Sequence, residues 1–296
     1  VPSPEFEALV ASLRSAPPIA GDDIPAMRES MAAAMAGMGP PADVRFEPAD
    51  AGGVRAEWTE APGAREDRVL VYLHGGGYCL GSIATHRGLT ARLSRAARVR
   101  VLSVDYRLAP ENPHPAAVED AVAAVRHVYA SGLPPARVAV AGDSAGGGLT
   151  LATLLALRDR RLPPPAAGVC ISPWTDLSAS GQSVRTRAAL DPLVAPADLE
   201  RLATAYLGGC DPRAPLASPL FADLRGLPPL LVHVGTAEIL LDDATRLAER
   251  AREAGVEVEL EVWDDMIHVW HAFADVLPEG EQAIDGIAGF LDKRLG

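Results

Sequence analysis

Short apolar blocks alternate with amphipathic stretches along most of this chain. Val69 to Leu73, Val99 to Val104, Arg137 to Ala141, Gly168 to Ser172 and Leu230 to Val234 are dominated by Val, Leu, Ile and Ala. Runs that short and that continuously apolar predict strands buried on both faces. Between them His86 to Ala97, Pro115 to Tyr129 and Leu149 to Leu157 read as helices, and Leu240 to Ala254 and Ile284 to Leu291 extend the series. Val44 to Pro48 and Val54 to Trp58 predict a short antiparallel pair, and Val256 to Val262 alternates as a late strand does. Strands alternating with helices specify βα units, hence an α/β fold with a mostly parallel sheet and helices on both faces.

Two stretches break the rhythm. At the start, Phe6 to Leu13 predicts one helix, and Pro25 opens another that runs to Met38 before Gly39-Pro40-Pro41 stops it. Met27, Met31, Met35 and Met38 fall on one face of the second helix. That face either packs on the body or, being soft and adaptable, lines an acyl pocket or lid. Ser178 to Gly226 is polar and proline-rich, with one helix from about Pro196 to Leu207. It reads as an insertion above the strand ends, forming a helical cap with the N-terminal arm. The expected organisation is an arm over 1–42, core over 43–177, cap insertion over 178–226 and core again over 227–296.

Composition narrows the function. The 296 residues are enough for one large core, and 48% apolar with 22% charged is ordinary for a globular protein. A formal charge of -12, with no dense Lys/Arg block, argues against a nucleic-acid partner. Cys79, Cys170 and Cys210 are too scattered for a disulfide framework or zinc knuckle. No apolar run reaches membrane-spanning length, so no membrane insertion is expected. A cytoplasmic location is the default, with an export signal removed ahead of Val1-Pro2-Ser3-Pro4 as the alternative.

Candidate chemistry centres on Gly142-Asp143-Ser144-Ala145-Gly146, placed directly after an apolar strand and before a helix. Strand, sharp turn and helix are the setting in which G-x-S-x-G presents a nucleophilic serine. A base is expected in the loop after the last strand, Trp263-Asp264-Asp265-Met266-Ile267-His268-Val269-Trp270-His271. His268 is the preferred base and His271 the alternative, otherwise packing or capping at the surface. The two histidines have no third ligand at useful spacing for a metal. For the acid, Asp242 and Asp243 already have a reason to sit in the first turn of a helix. Glu238, in the turn before it, has none and is preferred, with Asp242 as the alternative. His74-Gly75-Gly76-Gly77-Tyr78 follows a buried strand, and its glycines can expose N–H groups to a developing oxyanion together with that of Ala145. No cofactor or metal is required for this chemistry.

These runs resemble the hormone-sensitive-lipase-like family of α/β-hydrolases, in particular its bacterial esterases. The resemblance extends to Asp105-Tyr106-Arg107-Leu108-Ala109-Pro110-Glu111, Pro113-His114-Pro115-Ala116-Ala117, Ser172-Pro173-Trp174-Thr175-Asp176-Leu177 and Asp265-Met266-Ile267-His268. It covers roughly residues 43 to 296. It implies an α/β-hydrolase fold with a central, mostly parallel eight-stranded sheet and a helical cap. It also implies a serine carboxylesterase for short- to medium-chain esters, with Ser144, Glu238 and His268 catalytic and Gly76, Gly77 and Ala145 in the oxyanion hole. Tyr78, Met27, Met31, Met35 and Trp270 are candidates for substrate contact. A homodimer through late core strands or helices is a further implication.

The chain departs from the family pattern twice. Glu238 stands where aspartate is usual, and Trp270 replaces a frequent phenylalanine, which is expected to narrow the pocket. Asp105 and Arg107 are expected to form a buried pair shaping the loop by the glycine run, and Asp143 to brace the same region. Amide deacetylation or lactone hydrolysis would use the same triad. A non-catalytic small-molecule receptor is the reading from another class, and retention of both Ser144 and His268 argues against it.

Overall fold

The computed structural model describes residues 2–15, 23–35 and 39–296. Eight strands form one sheet in the order β1-β2-β4-β3-β5-β6-β7-β8. They are β1 Arg45–Asp50, β2 Arg55–Glu60, β3 Arg65–Leu73, β4 Val99–Val104, β5 Val138–Asp143, β6 Ala167–Ile171, β7 Leu230–Gly235 and β8 Val258–Trp263. β2 pairs antiparallel with both β1 and β4, and the pairs from β4 to β8 are parallel. The helices are α1 Pro4–Ser15, α2 Ile24–Met35, α3 Ile83–Ala97, α4 Ala116–Ala130, α5 Ala145–Asp159, α6 Ser183–Thr186, α7 Pro196–Leu207, α8 Leu241–Glu253 and α9 Pro278–Leu295.

The period-two rule divides the central strands between two cores. Leu70, Tyr72, Ala139 and Ala141 face Leu89 and Leu93 of α3 and Ile287 and Leu291 of α9. Val69, Val71, Leu73, Val138 and Val140 face Val118, Val122 and Val125 of α4 and Leu151, Leu154 and Leu155 of α5. Each fully buried Val or Leu contributes about 1.5–3 kcal/mol, so burial on both faces fixes the register of the sheet.

Helix ends differ from the sequence expectation where the capping chemistry is unusual. α3 begins at Ile83 rather than His86, because Ser82 caps it. Ser82 Oγ accepts from Thr85 N at 3.3 Å, and Thr85 Oγ1 accepts from Ser82 N at 2.9 Å. Threonine takes the place of the Glu or Gln that usually marks such a box. α9 starts at Pro278, which supplies a helix-compatible φ at the first turn.

The stretches that break the sequence rhythm both supply helices. α1 docks Phe6 into a small cluster with Met266, Ile267, Trp270, Phe273 and Leu277, and Ser3 N and Oγ donate to Glu279 at 2.8 and 2.9 Å. α2 buries Met27, whose Sδ accepts from Arg201 of α7 at 3.7 Å. Met31 and Met35 are half-buried, and Met38 lies outside the described residues.

Candidate active site

Ser144 sits between β5 and α5 with φ 54° and ψ -121°, a combination that non-glycine residues rarely adopt. The turn holds because its neighbours are small. A Cβ on residue 142 would lie 2.3 Å from Gly146 O, and one on residue 146 only 1.9 Å from Leu73 O. The turn is also tied down: Ser144 N donates to Ile171 O at 2.8 Å, while Ser144 O accepts from Trp174 N at 2.9 Å. The side chain therefore projects at the carboxyl end of the sheet, and the N-terminus of α5 begins at Ala145, where anionic charge is favoured.

Glu238 and His268 meet beside this turn. His268 Nδ1 lies 2.8 Å from Glu238 Oε2, with Glu238 fully buried and His268 nearly so. Burial opposes a charged imidazole. The hydrogen bond and charge of Glu238 outweigh it, with Asp191 and Asp143 adding to the effect, and the His268 pKa is raised above 6.5. The other oxygen, Oε1, accepts from Gly235 N at 2.7 Å and Ser172 Oγ at 2.8 Å. No hydrogen bond joins Ser144 Oγ to His268 among the described residues; in ligand-free sites such contacts are often loose and tighten with substrate.

Ser172 is the residue that sequence reasoning missed here. Its backbone has φ 45°, and its Oγ both donates to Glu238 and accepts from Val269 N at 3.1 Å. One hydroxyl thus connects the loop carrying His268, the carboxylate facing it and the end of β6 beside Ser144. Asp191 acts similarly from residues 178–226, where its Oδ2 accepts from Ile239 N at 3.0 Å, next to Glu238. The only sequence cue to Ser172 was its place at the head of the run Ser172 to Leu177.

Opposite lies the glycine loop. Gly76 and Gly77 have φ 113° and 60°, and neither their N–H groups nor that of Ala145 donates to another group among the described residues. Leu202 of α7 presses on this loop, for a Cβ on residue 77 would lie 2.4 Å from Leu202 Cδ1. Asp143 fixes the start of the loop: its Oδ1 accepts from Tyr72 Oη at 2.6 Å and Gly75 N at 3.1 Å, and Oδ2 lies 3.3 Å from His86 Nε2. Burial pushes the Asp143 carboxyl up, but His86 and the Tyr72 hydroxyl overcome it and hold the pKa at about 2. His74 stacks on Tyr106, and its pKa falls to about 4 through burial and the neighbouring His86.

Several expected residues stand elsewhere. Asp105 and Arg107 do not pair with each other. Asp105 turns to Arg55 on β2, while Arg107 binds Asp120 on α4 at 2.7 Å, because neighbouring elements offer each a closer partner. Trp270 does not narrow a pocket; it is fully buried in the cluster under α1, its Nε1 donating to Glu279 O at 3.2 Å. His271 is not at the surface but fully buried, with Nε2 3.0 Å from His233 Nδ1. Tyr78 is buried and stacked on Tyr206 of α7 at 3.8 Å. Asp242, the alternative acid, exchanges hydrogen bonds with Ser183, Oδ2 accepting from Ser183 N at 3.0 Å. It therefore fastens α8 to α6 rather than facing His268.

Known proteins share the family and fold of this chain. Residues 70–272 match a family described as alpha/beta hydrolase fold. An acetyl-hydrolase of Streptomyces hygroscopicus is 52% identical over 257 residues, covering 87% of this chain and 84% of the relative. An esterase of Acinetobacter venetianus is 36% identical over 248 residues, covering 83% and 82%. Among solved structures, an esterase from the bacterial hormone-sensitive lipase family superimposes with a TM-score of 0.96 at 52% identity, covering 100% of both chains.

Proposed function

The chain belongs to the hormone-sensitive-lipase-like family of α/β-hydrolases and is a serine carboxylesterase; from that premise we propose that Ser144, His268 and Glu238 are its nucleophile, base and acid. The observation that carries the assignment is the buried 2.8 Å contact of His268 with Glu238, beside a serine held at positive φ. His268 takes the Ser144 proton as Oγ attacks the ester carbonyl. Glu238 fixes the tautomer and stabilises the imidazolium that forms. The N–H groups of Gly76, Gly77 and Ala145 bind the oxyanion, aided by the N-terminus of α5. His268 then protonates the leaving alcohol and activates water to release the acyl group.

Short- to medium-chain esters are the proposed substrates. Leu202 packs on Gly77 and Tyr78 is stacked on Tyr206, so apolar and aromatic side chains of the cap border the oxyanion donors. The relative named acetyl-hydrolase supports an acetyl group as one such acyl chain. Arm 1–42 and segment 178–226 act together as the cap, a reading supported by the contact between Met27 and Arg201. Free Cys79, Cys170 and Cys210 fit a reducing compartment such as the cytoplasm. No helix among the described residues is long and apolar enough to cross a membrane. The outer edge of β8, with Val262 exposed, suits a homodimer.

The test is turnover of nitrophenyl acetate, butyrate and octanoate by wild type and Ser144→Ala. Activity that is highest on acetate and absent in the variant is expected. Full activity in Ser144→Ala would refute the assignment. Matched acetyl ester and acetyl amide substrates separate esterase from deacetylase.

A further inference from the structure

A closed ring of hydrogen bonds shapes the glycine loop, and one member comes from the N-terminal arm. Gly76 O accepts from Cys79 N at 3.1 Å and Leu80 N at 2.7 Å, folding residues 76–80 into a tight turn. Tyr78 O in that turn accepts from Ala109 N at 3.0 Å. Arg28 of α2 completes the ring, Nε donating to Cys79 O at 2.6 Å and Nη2 to Ala109 O at 2.8 Å. Cys79 and Ala109 are wholly buried, so their carbonyls have little access to solvent as a substitute. The guanidinium also meets Glu111 at 2.7 and 2.8 Å, but that carboxylate is half exposed.

We propose that Arg28 is a positioning residue for the oxyanion donors, through which the arm aims the N–H groups of Gly76 and Gly77. The proposal rests on the assignment of those two glycines to the oxyanion hole. A planar fork suits this task, because one side chain must reach two carbonyls on separate loops at fixed angles. The ion pair with the half-exposed Glu111 contributes little by itself. The carbonyl contacts, not the ion pair, are therefore the part that matters. They also give the run Asp105 to Glu111 a purpose, since it presents Ala109 O to the arm.

The experiment compares wild type, Arg28→Ala, Arg28→Lys and Glu111→Gln in the full chain, with melting temperatures to confirm folding. Two readouts are used: kcat and KM on nitrophenyl acetate, and affinity for an aryl trifluoromethyl ketone. The ketone probes the hole directly. Ser144 Oγ bonds to its carbonyl carbon, the C=O π pair moves onto oxygen as the oxyanion, and the serine proton passes to His268.

Arg28→Ala is expected to lower kcat about 10- to 100-fold, the scale of a roughly 1 Å misplacement, and ketone affinity in parallel, with KM little changed. Arg28→Lys falls between it and wild type. Glu111→Gln stays within about fivefold, as loss of an exposed pair allows. Wild-type kcat and ketone affinity in Arg28→Ala would overturn the proposal, as would a loss in Glu111→Gln equal to that in Arg28→Ala, or a change in KM alone. Failure of the underlying assignment appears separately, as wild-type enzyme that takes up no ketone through Ser144, and it removes the proposal with it.

Discussion

Shortening Glu238 to aspartate, the residue more usual in the family, is expected to harm this enzyme. The change withdraws the carboxylate by about 1.5 Å, one carbon–carbon bond. Its present position satisfies three partners at once: His268 Nδ1 at 2.8 Å, Ser172 Oγ at 2.8 Å and Gly235 N at 2.7 Å. The backbone cannot follow, because Ala237 N is bonded to Met266 O at 3.0 Å and Ile239 N to Asp191 at 3.0 Å. The contact with His268 would open to about 4 Å, or the other two would be given up. One charge-assisted hydrogen bond is worth about 1.5–3 kcal/mol, so kcat/KM should fall about 10- to 150-fold. Glu238→Gln, which cannot stabilise an imidazolium, should cost about 10⁴-fold in kcat, the scale of the corresponding change in a serine protease triad. Asp242→Asn should change little, since an amide oxygen can still accept from Ser183 N. Steady-state kinetics on nitrophenyl acetate, with circular dichroism to confirm folding, decide the matter. Wild-type activity in Glu238→Asp, or a larger loss in Asp242→Asn than in Glu238→Gln, would refute the reasoning.

Three further outcomes follow from the same geometry. The base must be neutral to accept the serine proton, and its pKa is raised, so the acidic limb of kcat/KM should lie above pH 6.5. That shift also adds stability that is complete below pH 6.5 and lost as pH rises through the folded-state pKa, so a limb below 6.5 in wild type would contradict both effects. Ser172→Ala should lower kcat about 10-fold or more with KM little changed, because a buried carboxylate loses a donor and Val269 N an acceptor; an unaltered kcat would dismiss the linking role. Burial depresses the pKa of both His233, to about 3, and His271. The unfolded chain therefore binds more protons below pH 6.5, and each histidine should cost up to about 1.4 kcal/mol of stability per pH unit on acidification. Denaturant melts at pH 7 and pH 5 test this, and a His271→Phe protein with a pH slope as steep as wild type would count against it.

How much could be read from the sequence depended on whether a residue's role is set locally. The strands of the sheet centre were plain, because burial on both faces leaves only apolar residues in Val69 to Leu73 or Val138 to Val140. The setting of Ser144 was equally open to reading, since a strand, three small residues and a helix specify a tight turn within a few positions. Glu238 could be singled out because Asp242 and Asp243 had a helix end to explain them. Partners chosen across the fold were not readable. Asp105 and Arg107 look like a pair two residues apart, yet Arg55 and Asp120 claim them from other elements. His271 and Trp270 look like loop residues until α1 and β7 cover them. The part played by Ser172 depends on a left-handed backbone angle that no pattern of residue types announces.

The seating of Leu202 against Gly77 bears on how caps can be exchanged. With only 2.4 Å between Leu202 Cδ1 and the place of a β-carbon on residue 77, the cap can seat this closely only on a glycine. A chimera that imports residues 178–226 from a relative brings a different side chain to press on this loop. It should retain turnover only where the imported helix carries a residue no bulkier than leucine at that point. Because Gly77 is held to glycine by its positive φ, the whole burden of compatibility falls on position 202, and a cap with a bulkier side chain there would displace the oxyanion loop rather than be accommodated by it.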